Sequence, residues 1–141
     1  NEEPDGLLAF EGYFDYVFVD APCSGEGMFR KNPETILEWS EENVKMCAER
    51  QKQILQVAEK LVAAGGKLVY STCTFADAED EDIVGWFLTE FNYELADVPE
   101  EVKKSTVASK ANIKNAEFAR KFYPFCGNGE GQFVAVFKNY I

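Results

Sequence analysis

Apolar residues recur along this chain at two spacings. Near-continuous apolar runs at 14–21, 67–71 and 132–139, rich in β-branched and aromatic residues, predict strands. The run 14–21 is apolar almost throughout, so it is expected to be buried on both faces, as in a parallel sheet. Ser40 is placed to cap a helix running to about residue 64. Its apolar positions Ile54, Leu55, Ala58, Leu61 and Val62 recur at helical spacing, and Gly65-Gly66 would end it. Asn32-Pro33 signals the start of a short helix over 34–39. Ile83, Val84, Phe87, Leu88 and Phe91 define a further helix over 78–91, followed by a short strand at 93–98. Residues 1–12 read as a lead-in loop, and 99–121 fit no single pattern. Strand, helix, strand, helix, strand and a terminal strand predict a doubly wound α/β sheet.

Composition narrows the class. A chain of 141 residues makes one domain at most, with enough length to bury a core. No apolar run reaches the roughly 18 residues of a membrane span. The first residues are acidic, so no signal peptide is read. The chain does not begin with Met and is expected to be an excised piece. Cysteines stand at 23, 47, 73 and 126, with no CxxC and no histidine anywhere. Zinc, a disulfide framework and dithiol redox chemistry are therefore not expected, and a reducing cytoplasm is. Cys47 and Cys126 read as small buried hydrophobes.

Charge adds a second constraint. A net charge of −11 argues against nucleic acid contacting the whole surface. Its distribution is uneven. Residues 74–101 carry ten acids and no Lys or Arg, and 102–125 carry six bases against the single acid Glu117. The basic stretch reads either as a solvated loop or as a phosphate-facing segment. Asp77, Glu79, Asp80, Glu81 and Asp82 read as helix capping and solubility, suited to the positive end of a helix dipole.

Chemistry gathers at two strand ends. The first strand closes on Asp20-Ala21-Pro22-Cys23-Ser24-Gly25-Glu26-Gly27, and the second on Ser71-Thr72-Cys73-Thr74. The carboxyl edge of an open α/β sheet is where ligands bind. Two thiols and one carboxylate converging there suit attack on an electron-poor ring. Gly25-Glu26-Gly27 lacks the third glycine and helix start of a cofactor-phosphate loop.

The segments 20–31 and 71–74 resemble the two catalytic motifs of the Nol/Nop/Sun family, RNA (cytosine-5)-methyltransferases dependent on S-adenosylmethionine. The segments 120–124 and 129–135 are similar to the family's closing segment. The likeness runs over most of the chain from Phe14 and is nearest to the bacterial ribosomal-RNA branch. It implies a class I, Rossmann-like methyltransferase sheet, mostly parallel with an antiparallel last strand. Residues 1–141 would be the carboxyl half of that catalytic domain. The Gly-rich cofactor loop, the ribose-binding acid and a catalytic lysine would belong to a missing amino-terminal half.

The resemblance also implies roles. Cys73 would be the nucleophile and Cys23 would assist product release. Asp20 would contact the base and, with Pro22, the cofactor S-adenosylmethionine. Arg30 and Lys31 read either as solvated charges or as RNA-backbone contacts. Phe125 stands where members of the family often carry histidine. The partner would be RNA, ribosomal in kind, with no membrane and no metal. Loss of the other half would leave the first strand as an open edge prone to self-association. A truncated, non-catalytic interaction or regulatory module of methyltransferase ancestry is the alternative reading.

Overall fold

The strand that opens the chemistry, β1 (Phe14–Asp20), covers only one of its faces. Val19 is buried, but Tyr16 and Phe18 are 60% and 75% exposed in this computed structural model, which describes residues 3–127 and 129–141. The expectation of burial on both faces is corrected here. The apolar side chains at 16 and 18 point away from the layer that supplies the core. A short 3-10 helix, Pro4–Phe10, occupies most of the expected lead-in loop; residues 1 and 2 of that loop lie outside the described residues.

From β1 the chain crosses through a short helix, α1 (Thr35–Glu38), and a long one, α2 (Glu41–Leu61). The Asn32 carbonyl accepts the amide of Thr35 (3.0 Å), so the Asn-Pro signal sits one turn ahead of α1 itself. The Ser40 side chain caps α2 by accepting the amide of Asn43 at 3.0 Å. One face of α2 buries Val44, Ala48, Gln51, Leu55, Ala58 and Leu61. It ends four residues before Gly65-Gly66. Val62 already turns extended, is buried and pairs with Phe14, so strand β2 runs Val62–Thr72. Gly65 then takes a left-handed step at φ +73°. Gly66 packs so closely on the carbonyls of Asp15 and Ala63 that a Cβ would lie 2.9 Å from each.

Beyond β2 come α3 (Glu81–Glu90), β3 (Tyr93–Leu95), α4 (Glu100–Lys104), β4 (Val107–Ala108), β5 (Arg120–Phe122) and β6 (Gln132–Asn139). The sheet order is β1-β2-β6-β5-β4, with β3 also pairing to β6. β1 and β2 run parallel, with Asp20 opposite Ser71, and β6 runs antiparallel to β2. This is the α/β sheet with an antiparallel last strand. Phe87 locks α3 onto it, its ring 4.4 Å from Phe137 and 5.0 Å from Tyr93. Among the described residues, β1 pairs with β2 alone, which makes it an edge strand. No described helix is long and apolar enough to cross a membrane.

Candidate active site

The parallel pairing of β1 and β2 delivers both cysteine loops to one point. Pairing continues one step past β1, where the Ala21 amide donates to the Ser71 carbonyl at 3.0 Å. Pro22 is exposed and turns the chain, and Cys23 follows. Its Sγ lies 2.9 Å from Sγ of Cys73 and accepts the Cys73 amide at 3.3 Å. Two thiols in contact share their protons unequally. The hydrogen bond from Cys23 lowers Cys73 to about 7, against the opposing effects of burial and of the Asp20 and Glu79 charges. The same bond, with burial and the charge on Cys73, pushes Cys23 far up. Cys73 is thus the more acidic thiol of the pair. Ordinary cysteine titrates near 8.5.

The loop carrying Cys23 is clamped from below by Glu79. Its carboxylate accepts the Ser24 amide (2.9 Å), the Ser24 hydroxyl (2.5 Å) and the Gln51 side-chain amide (3.0 Å). Gln51 also donates to the Pro22 carbonyl at 3.0 Å. Above it, Glu26 accepts Thr74 Oγ1 (3.0 Å) and the Phe75 amide (3.1 Å). The Gly27 amide donates to the Cys73 carbonyl at 2.8 Å, and the Gly131 amide to the Gly27 carbonyl at 3.0 Å. A Cβ at Gly27 would sit 2.8 Å from the Cys73 carbonyl oxygen, so this crossing requires glycine. Gly25, at φ +78°, provides the left-handed turn between the two clamps.

The acidic run is a solvated cap only in part: Asp77 and Asp82 are exposed, and Glu81 and Asp82 stand in the first turn of α3. Glu79 and Asp80 are fully buried. Both lie one turn before core residues of α3, Glu79 four before Ile83 and Asp80 four before Val84. That spacing was available in the sequence as a sign that they face inward. Asp80 accepts Thr72 Oγ1 at 2.6 Å, and its other oxygen is 3.8 Å from Lys121 Nζ. Burial lifts Asp80 to about 9, outweighing the Thr72 hydrogen bond and the attraction of Lys121. Nor are Arg120 and Lys121 solvated. Arg120 donates to the carbonyls of Lys103, Thr106 and Glu117, and Lys121 to the Phe75 carbonyl at 3.1 Å.

The other expected residues fall as follows. Asp20 is exposed at the strand end, and its Oδ1 accepts Ser71 Oγ at 3.1 Å. Arg30 is exposed, and Lys31 pairs with Glu130. Cys47 is half-buried on α2; burial, Glu79 and Cys73 all raise it. It therefore lies near the pair and is more than an isolated core residue. Cys126 is half-buried in a 3-10 turn. No cluster of three metal-ligating side chains occurs among the described residues. Beside Asp20, a cavity of about 260 Å³ is lined by Val17, Phe18, Ile54, Leu61 and Leu7.

Comparison with known proteins places this geometry. The chain is 41% identical to ribosomal RNA small subunit methyltransferase F of Cronobacter sakazakii, over 61% of this chain and 20% of that protein. It is 34% identical to the Klebsiella pneumoniae protein of the same name, over 86% of this chain and 25% of that one. It thus spans about a quarter or less of the curated relatives it matches. Its fold superposes on a methyltransferase homolog protein from Pyrococcus horikoshii with a TM-score of 0.77 and 28% identity, over 96% of this chain and 41% of that one. NSun6 from the same organism, solved with SFG, shares the fold at a TM-score of 0.75 and 23% identity, over 100% of this chain and 34% of that one. The family profile of the 16S rRNA methyltransferase RsmB/F matches residues 3–138, both cysteine loops included, and the chain belongs to that family.

Proposed function

We propose that the protein carrying this chain methylates carbon 5 of a cytosine in RNA, ribosomal RNA in particular, using S-adenosylmethionine. The observation that supports this reading most is the 2.9 Å contact between Cys23 and Cys73, at the ends of adjacent parallel strands, in a member of an rRNA methyltransferase family. Carbon 5 of cytosine is a poor nucleophile. Adding the Cys73 thiolate to carbon 6 forms an S–C6 bond and moves the ring's π electrons toward carbon 5. A thiol titrating at about 7 is roughly half thiolate at neutral pH, where an ordinary cysteine is a few per cent.

S-adenosylmethionine, when bound, supplies the methyl group as an electrophile. Asp20, with the exposed Pro22 beside it, forms this chain's part of that site and faces the base edge. The Ser71 hydroxyl fixes the Asp20 carboxylate from the neighbouring strand. After transfer, carbon 5 must lose its proton and the C6–S bond must break, returning its electron pair to Cys73. Alkylation of Cys73 removes its hydrogen bond and its negative charge from Cys23, leaving burial as the remaining cause that raises it. Cys23 can then release its proton to solvent and take the carbon 5 proton in its place, which restores the starting pair. Arg30, exposed, and Lys31, paired with Glu130, offer cations to the RNA backbone.

The test uses the intact protein, radiolabelled S-adenosylmethionine and a 16S rRNA transcript, with RNA containing 5-fluorocytosine as the trap. Wild type transfers label to cytosine carbon 5 and forms a covalent adduct. Cys73→Ala loses both, and Cys23→Ala accumulates protein-linked RNA. An adduct persisting in Cys73→Ala refutes the assignment. RNA binding with neither transfer nor adduct returns the reading to a non-catalytic module.

A further inference from the structure

Phe125 is 80% exposed, yet it is not loose. Its ring lies parallel to that of Tyr123, 5.0 Å apart at 9°. Tyr123 in turn packs on Phe75 at 4.9 Å. Phe75 follows Cys73 by two residues and is held at both ends of its backbone, by Glu26 on its amide and Lys121 on its carbonyl. Its ring also occupies the space a Cβ at Gly131 would need. Pro124 opens a tight 3-10 turn closed by the Cys126 amide donating to the Tyr123 carbonyl at 2.9 Å. Three aromatic rings therefore lead from the cysteine loop outward, and the last presents a flat, fixed, unpartnered face.

Five residues further along the chain Glu130 pairs with Lys31, where Arg30, Lys31, Gly129 and Glu130 line a cavity of about 270 Å³. An exposed ring held by stacking on other rings is the arrangement that binds unpaired nucleotides, by stacking on the base. A single ring is too small for a stable protein interface, which needs about 1,000 Å². With a net charge of −11, contact with RNA has to be local. We propose that the free face of Phe125 stacks an unpaired RNA base flanking the reacting cytosine. Phe125 thus holds the strand in register while the cytosine is out of its own stack. This rests on the RNA reading above.

The test uses the intact protein, a 16S rRNA transcript, and an oligoribonucleotide carrying 2-aminopurine next to 5-fluorocytosine. Wild type quenches the 2-aminopurine on binding. Phe125→Leu, which keeps an apolar side chain but no ring, loses the quench and raises KM for the transcript about tenfold, with kcat within about twofold. Phe125→Trp restores both. A wild type that methylates the transcript while Phe125→Leu keeps its KM and its quench overturns the platform and leaves the RNA reading standing. No transfer and no quench in wild type overturns both.

Discussion

Glu79 accepts both the amide and the hydroxyl of Ser24, a residue 55 positions earlier in the chain. Among the described residues, no other side chain bonds both backbone and side chain of the Cys23 loop. Glu79→Ala would leave the buried Ser24 amide without a partner, at about 1–3 kcal/mol, and would strip one of two bonds from the Ser24 hydroxyl and from the Gln51 amide. We expect it to lower the melting temperature and abolish adduct formation. Glu79→Gln preserves shape but turns one acceptor into a donor, so it should fold while forming the 5-fluorocytosine adduct at least tenfold more slowly. A Gln variant with wild-type adduct kinetics would show that the clamp does not set the position of Cys23.

The shared proton predicts a pH profile. Cys73 is lowered to about 7 chiefly by its bond from Cys23. Its alkylation by iodoacetamide should therefore fall about tenfold per pH unit below 7. Replacing Cys23 by Ala removes that bond, and the midpoint should move upward. Mass spectrometry of the Cys73 peptide across pH 5–10 reads it. An unmoved midpoint in the variant would show that Cys23 does not tune the nucleophile.

Asp80 predicts a stability slope. Its folded value of about 9 lies above the roughly 3.9 of an unfolded aspartate. The folded state therefore keeps a proton that the unfolded chain has lost. The stabilisation from that proton is full below about pH 4 and is lost as pH rises through 9. Asp80→Asn should flatten the decline in unfolding free energy between pH 5 and 9 by up to about 1.4 kcal/mol per pH unit. Denaturant titrations at several pH values would measure it, and parallel slopes in the two proteins would refute it.

The open edge predicts association. β1 carries unpaired backbone groups beside the exposed side chains of Tyr16 and Phe18. Such an edge templates pairing with another chain. The 141-residue chain should sediment above its 15.9 kDa monomer mass, and Phe18→Lys should shift it toward monomer. A wild-type chain that stays monomeric at high concentration contradicts this.

The small cavity beside Asp20 predicts weak cofactor binding by this chain alone. Asp20 sits beside a cavity of about 260 Å³, and sites that enclose a molecule of that class run to roughly 300–1,000 Å³. Calorimetry with S-adenosylmethionine and the 141-residue chain should give a dissociation constant weaker than about 1 mM. Micromolar binding would mean that the described residues complete the site.

Much of this was legible before any coordinates. Strand-end cysteines 50 residues apart, joined by one long amphipathic helix, are enough to bring Cys23 and Cys73 together when the two strands are parallel. The supporting carboxylates were harder to read. Glu79 and Asp80 stand in a run of acids whose composition suggests solvent, and only their helical offset from Ile83 and Val84 marks them as inward. The end of α2 was misread because Gly-Gly is a strong stop signal. The burial of Val62 stopped the helix earlier, and tertiary packing outweighed the local signal. Arg120 and Lys121 were hidden too: Arg120 binds mainly backbone carbonyls, and Lys121 binds the Phe75 carbonyl and acids about 40 residues earlier, which no local sequence pattern displays.

The placement of β6 has a consequence for the order of events during synthesis. This strand is the last made among the described elements, yet it sits between β2 and β5 in the middle of the sheet. Gly131, at its entrance, also bonds the loop that crosses Cys73. Until the ribosome has delivered residues 131–139, β2 has a bare flank and the loop crossing Cys73 lacks its bond to Gly131. The two cysteine loops therefore reach the arrangement described above only once β6 has docked.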